Sequence, residues 1–344
     1  MKALVLEQVK CLTLRDVSLN ETVGLQDVRI QVQACGICGS DIHYYLEGAI
    51  GDFVLREPMI LGHEAAGVVV EKGAAVRNVS IGDLVCMEPG IPRNFSPEVL
   101  AGRYNLDPDV VFWATPPVHG CLRETVVHPA AFCFKVPTGL SAREGAMMEP
   151  LAIGIEAAKQ AAITPGDTAL VIGAGTIGIM SVLGVLAGGC SRVFVSDVKA
   201  EKLNIAASYD QVTAINTGTE NLTDRILAET AGRGVDLIIE ASGSPRVYPE
   251  LFQCARRGGK VVLVGMMNGT VPLDVTLLQA RGIRIAPVFR YANAFDRALA
   301  LVSAGKIDLK RLISKVFPFD EAIAAYEYAA SGHPDVVKVM IDVA

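Results

Sequence analysis

Aromatic residues are scarce in this chain of 344 residues: 11 Phe, 8 Tyr and one Trp, 6% of the sequence. With 33 glycines and half the residues hydrophobic, the composition points to an aliphatic α/β protein with many tight turns. No run of Lys or Arg forms a basic patch, and the net charge is −6, which argues against a nucleic-acid partner. Long apolar runs are missing too. The longest, Ile177–Cys190, is too short and too glycine-rich to span a bilayer. The start, MKALVLEQVKCLTL, does not read as a signal peptide, because its apolar run covers only Ala3–Leu6. Repeats, low-complexity segments and linkers are also absent. The expectation is a soluble, cytoplasmic protein with no membrane contact. Its eight scattered cysteines are then small buried side chains or metal ligands rather than disulfides.

What is present divides the chain in two. Before about residue 150, short runs such as RIQVQA, AAGVVVEKG, DLVCMEPG, CLRETVVHP and FCFKVP alternate with turn residues and predict a β-rich part. EPLAIGIEAAKQAA then has helical spacing and strong helix formers. After it come TALVIG, RVFVSD, VDLIIEAS, KVVLVG and IRIAPV, continuous apolar runs suited to a parallel sheet covered on both faces. Past Val288 the chain reads as helices plus a last strand, VVKVMIDVA, which matches the β-rich part better than the parallel sheet. The expected division is 1–152 with 288–344, and 153–287.

ALVIGAGTIG places Gly173, Gly175 and Gly178 as GxGxxG between a strand and a helix, the context a dinucleotide fingerprint requires. The first glycine permits the turn, the second lets backbone approach a pyrophosphate, and the third allows close helix–strand packing. Asp197 ends the next strand, 24 residues on, and can accept hydrogen bonds from an adenosine ribose. An acid there repels a 2′-phosphate, and Val198 rather than Arg follows it, so NAD is expected over NADP.

The segment ACGICGSDIHYY carries Cys35 and Cys38, and LGHEAAG carries His63 and Glu64. These motifs, with the GxGxxG unit, resemble the zinc-containing medium-chain dehydrogenases over essentially the whole chain. HYYLEGAIGDFV, GRYNLDPDVVFWATPP, MMEPLAIG and PVFRYANAF resemble the polyol (sorbitol/xylitol) branch. The resemblance implies a Rossmann doubly wound parallel sheet domain plus a β-rich GroES-like catalytic domain. It implies that Cys38, His63 and Glu64 hold one catalytic zinc, with Glu149 a further ligand or the partner of a zinc-bound water. A thiolate, an imidazole and a carboxylate are acceptable ligands for a site that keeps a position open. Cys35 is expected to pack at a strand end rather than to form a redox pair with Cys38.

The resemblance further assigns Ser40 and His43 to a proton relay. Tyr44, Glu149, Arg290 and Tyr291 would bind substrate hydroxyls, with Phe53, Phe112 and Thr115 walling the pocket. Ile177, Lys202, Val264, Gly265, Met266, Val288, Phe289 and Arg290 would touch the cofactor. Many relatives carry four cysteines for a structural zinc where this chain has Arg93, Ser96, Val99 and Asp107, so none is expected here. The implied activity is NAD-dependent oxidation of a polyol to a 2-ketose. A zinc-dependent secondary alcohol or threonine dehydrogenase is the alternative, and a non-catalytic NAD-binding relative a more distant one. A homotetramer, or a dimer, is the implied assembly, with KVVLVGMMNGTVPLDVT either an edge strand for subunit pairing or an internal strand and turn.

Overall fold

Ten residues, Asp27–Gly36, mostly alternate between fully and partly buried positions, the signature of a strand with one face on a core. In the computed structural model, which describes residues 1–267 and 269–344, this strand pairs antiparallel with Glu64–Lys72, Thr125–Pro129 and Lys338–Asp342. Leu84–Met87, Cys133–Lys135 and Ile313–Pro318 complete a seven-stranded sheet. Leu4, Ile30, Val32, Leu61, Val69, Met87, Leu122 and Tyr326 fill its core. Each such aliphatic side chain contributes about 1.5–3 kcal/mol when fully buried. The final strand therefore returns to this β-rich unit, as the pattern of VVKVMIDVA predicts.

The second unit is a six-stranded parallel sheet: β1 (Thr168–Ile172), β2 (Arg192–Asp197), β3 (Val212–Asn216), β4 (Val235–Glu240), β5 (Ala255–Leu263) and β6 (Arg284–Pro287). Their order is β3-β2-β1-β4-β5-β6, with all neighbouring pairs parallel. This is the doubly wound arrangement whose order reverses beside β1, where a dinucleotide binds. The helix α1 (Thr176–Ala187) follows β1 directly, and Gly178–Val185 within it are all buried.

The structure differs from the sequence reading in four places. β3 was not among the expected strands; as an edge strand it is mostly half-buried and lacks a continuous apolar run. Ile313–Pro318 is a strand where only helices were expected, because its exposed Lys315 and Pro318 break the pattern. KVVLVGMMNGTVPLDVT contributes the end of the internal strand β5, not an edge; β6 is the edge on that side, and Asn268 lies outside the described residues. The units divide at Met1–Glu149 with Phe295–Ala344, and at Pro150–Ala294, rather than after 152 and 287. Most of the helix Met148–Ala161 and the segment following β6 thus belong to the parallel-sheet unit. No helix among the described residues is long and apolar enough to cross a membrane.

Candidate active site

Strand register assembles a candidate metal site within the β-rich unit. Gly36 lies opposite Glu64 on antiparallel neighbours, so Cys38, two residues beyond one strand end, meets His63, one residue before the other. One ligand atom from each of Cys38, His63 and Glu64 lies within 4.8 Å of the other two. Cys38 is the N-cap of the helix Gly39–Glu47. Asp41, in that helix's first turn and fully buried, ties the two loops together. Its carboxylate accepts from the Cys38 N–H at 3.0 Å and the Gly62 N–H at 3.3 Å, and lies 3.6 Å from His63 Nδ1.

Glu64 has a partner that the sequence did not reveal. Lys338, only 1% exposed, donates to both carboxylate oxygens at 2.8 and 2.7 Å and to the Ile37 carbonyl at 3.0 Å. A side chain on Gly36 would overlap the Glu64 carboxylate, so glycine is required there for the pair to form.

These residues fit a divalent cation. The Nδ1 of His63 is buried with no hydrogen-bond partner. Burial works against a charged imidazole, yet Asp41 and Cys38 outweigh it and hold the His63 pKa well above the usual range. A site that draws positive charge so strongly, beside a thiol and a carboxylate, is suited to zinc. Cys35, by contrast, faces Cys121, with the sulfurs 3.9 Å apart. Contact with Cys121 and burial raise the Cys35 pKa, which leaves an unreactive thiol.

A separate candidate site lies in the parallel-sheet unit. Gly173 has φ +99°, and a Cβ on it would stand 3.0 Å from the Ser242 backbone. A Cβ on Gly178 would overlap the Gly173 carbonyl, whereas Gly175 faces open space at the N-terminus of α1. Gly173 thus serves the turn and Gly178 the close packing, and the open face at Gly175 could take a phosphate. Asp197 accepts from the Ala174 N–H at 2.8 Å and the Lys199 N–H at 2.9 Å, which fixes its carboxylate beside the glycine turn.

Residues 24–138 match the alcohol dehydrogenase GroES-like domain, and residues 176–304 match the zinc-binding dehydrogenase family. D-xylulose reductase of Morganella morganii is 49% identical over 331 residues, covering 96% of this chain and 98% of the relative. The chain is a zinc-binding medium-chain dehydrogenase. Sorbitol dehydrogenase of Arabidopsis thaliana is 39% identical, covering 93% of this chain and 90% of that protein. A protein from Sinorhizobium meliloti 1021 solved bound to NADP superposes with a TM-score of 0.91, at 29% identity and 99% coverage of both chains. A catalytic zinc and a nicotinamide cofactor go with this membership.

The remaining residues can be placed on the dehydrogenase scaffold. Ser40 is half-buried on the helix that Cys38 caps; His43 on the same helix is exposed, with Nδ1 3.5 Å from Glu47. Phe112 packs beside His63, ring centroids 5.6 Å apart; Tyr44 is buried in the core, Thr115 half-buried and Phe53 exposed. Glu149 is buried outside the three-residue ligand group, near enough to act electrostatically on Lys338 and Glu88.

In the nucleotide unit Ile177 lies in the first turn of α1, and Lys202 is half-buried, its pKa lowered chiefly by burial. Val264 and Gly265 donate their N–H groups to the Glu240 carbonyl, and Val288 donates to Leu263. Met266 and Phe289 are exposed. The Arg290 guanidinium sits 5.0 Å from the Phe289 ring centre, with Arg290 at φ +54°, and Tyr291 is buried.

The segment carrying Arg93, Ser96, Val99 and Asp107 is braced by hydrogen bonds. Ser96 caps the short helix Pro97–Leu100, Asn94 donates to Asp109 at 2.8 Å, and the Tyr104 hydroxyl donates to Glu88 at 2.7 Å. Glu88 is 1% exposed, and burial pushes its carboxyl up to about 7 against the pull of the Tyr104 bond; Glu149 and Asp296 add to the rise. A folded-state pKa above the unfolded one means that ionisation destabilises the fold. The loss begins as pH rises past the unfolded value and is complete above about 7. Glu88→Gln should therefore raise stability by up to about 3 kcal/mol at pH 8 and by little near pH 4.5. Urea midpoints of both proteins at the two pH values measure this; a gain independent of pH would refute it.

Proposed function

We propose that this dehydrogenase oxidises a secondary alcohol of a xylitol- or sorbitol-type polyol to the 2-ketose, with NAD as acceptor. The observation that carries the reading is the Cys38–His63–Glu64 group, in a chain matched over 96% and 93% of its length by relatives named for D-xylulose and sorbitol. Bound zinc supplies Lewis acidity to a substrate hydroxyl, and a bound nicotinamide takes up the hydride. The chain's own residues prepare for that step. Cys38, His63 and Glu64 would hold the metal, Asp41 joins the Cys38 backbone to that of Gly62 beside His63, and Lys338 restrains Glu64. Ser40 and the exposed His43 would carry the released proton to solvent. Tyr44, Glu149, Arg290 and Tyr291 would meet the other hydroxyls, with Phe53, Phe112 and Thr115 shaping the pocket.

A panel of xylitol, sorbitol, galactitol, simple secondary alcohols and threonine, followed by NADH absorbance, tests the substrate class. Turnover of a polyol well above threonine and the simple alcohols is expected; threonine as the best substrate would replace this reading.

The choice of NAD rests on the Asp197 carboxylate, whose charge opposes a 2′-phosphate, and on the neutral Val198 beside it. Asp197→Ser should lower kcat/KM for NAD about tenfold or more and raise it for NADP by a similar factor, given about 1.5–3 kcal/mol for a hydrogen bond to a charged group. Steady-state kinetics with both cofactors decide it; a wild-type enzyme that prefers NADP would contradict the choice. A single zinc per chain is supported by Ser96 and Asn94 serving as a helix cap and a bridge in the braced segment. Unpaired cysteines at all eight positions fit a cytoplasmic location. The edge strand β6, with a free side, supports assembly into a homotetramer or dimer.

A further inference from the structure

β4 ends in a carboxylate that none of the roles above uses. Glu240 lies between Ile172 of β1 and Leu263 of β5 and is 0% exposed. Its Oε1 accepts from the Ser242 N–H at 2.8 Å, the Ser242 hydroxyl at 2.5 Å and the Gly243 N–H at 3.0 Å. Its main-chain carbonyl accepts from the Val264 and Gly265 N–H groups at 2.8 and 2.9 Å. Its Oε2 has no hydrogen-bond partner among the described residues, and a Cβ on Gly265 would stand 2.7 Å from it. Gly243 has φ +63°, and a Cβ there would come within 2.5 Å of the Met266 carbonyl. One residue thus joins the loop after β4 to the loop after β5, and the first of these also lies against Gly173.

Burying a carboxylate is costly, so its presence at the carboxyl end of a central strand calls for a compensating use. The sheet order defines two mononucleotide halves on either side of β1. Asp197, on β2, belongs to the adenosine half. The loops after β4 and β5 belong to the other. We propose that Glu240 is a positioning residue for the nicotinamide half of the cofactor, holding these two loops in the arrangement the ring and its ribose require. The inference rests on the nicotinamide cofactor and adds a residue that the fingerprint does not contain.

Calorimetric titration of the whole protein with NADH and with AMP, which lacks the nicotinamide half, tests it. Glu240→Ala should weaken NADH at least about tenfold and leave AMP within about twofold of wild type. Glu240→Gln keeps an acceptor for the Ser242 and Gly243 N–H groups and should recover most of the NADH affinity. Gly243→Ala keeps Glu240 but sets a Cβ against the Met266 carbonyl and disturbs the N–H that Oε1 accepts, so it should repeat the Glu240→Ala pattern; it carries the test if Glu240→Ala does not fold. Equal weakening of NADH and AMP, or unchanged NADH binding in the alanine variants, would overturn the assignment. Wild-type protein that bound AMP but not NADH would remove the cofactor reading and this inference together.

Discussion

Replacing Lys338 with methionine should destabilise the metal-free protein by about 3–5 kcal/mol, the usual effect of removing one partner from a buried ion pair. Methionine fills similar space but leaves the Glu64 carboxylate, 1% exposed, with neither of the contacts at 2.8 and 2.7 Å that now neutralise it. Burial opposes the charged lysine, but Glu64 and Cys38 outweigh it and raise the Lys338 pKa, so the ammonium is retained in the fold. Added zinc should return part of the loss, because a cation held by Cys38, His63 and Glu64 gives the carboxylate another partner. Urea unfolding of wild type and Lys338→Met, in chelator and in excess zinc, measures both effects. Identical midpoints in chelator would show that the pair does not stabilise the fold. A deficit as large with zinc as without it would separate Glu64 from the metal.

Cys38→Ala should abolish tight zinc binding and lower polyol turnover by about a thousandfold or more, since Lewis-acid assistance is worth several kcal/mol at the barrier and each 1.36 kcal/mol is tenfold. The dinucleotide fingerprint lies in the other structural unit, so NADH affinity should stay close to wild type. Metal analysis, turnover and NADH titration on one preparation give the pattern. Zinc retained at full occupancy in the variant would remove Cys38 from the ligand set; loss of NADH binding together with zinc would indicate general unfolding.

The nucleotide unit was legible because glycine spacing and buried parallel strands are local signals. Gly173, Gly175, Gly178 and Asp197 lie within two strands, a turn and the start of a helix, and the φ of Gly173 and the close packing at Gly178 require glycine there. Cys38, His63 and Glu64 were legible through motif context alone. What the sequence concealed depends on long-range pairing. Lys338 lies 274 residues from Glu64, in a strand where a lysine reads as a solvent-facing residue. Only the register of Lys338–Asp342 against Asp27–Gly36 brings it to the Cys38–His63–Glu64 group. Asp41 is concealed for a different reason: in SDIH it reads as an ordinary helix-capping acid, and only its contact with Gly62, 21 residues on, ties a second loop to the first. Glu240 looked like the polar end of a strand, and its burial appears only once the loops after β4 and β5 close around it. The β3 edge strand and Ile313–Pro318 were hidden by mixed burial, which weakens any periodic signal.

Recovery of xylitol oxidation during a zinc titration of the chelated protein is the most direct test of a zinc- and nicotinamide-dependent polyol dehydrogenase. The account predicts no NADH formation without metal and full recovery at one zinc per chain. Turnover that persists without metal, or no polyol turnover at full zinc occupancy despite NAD binding, would contradict it.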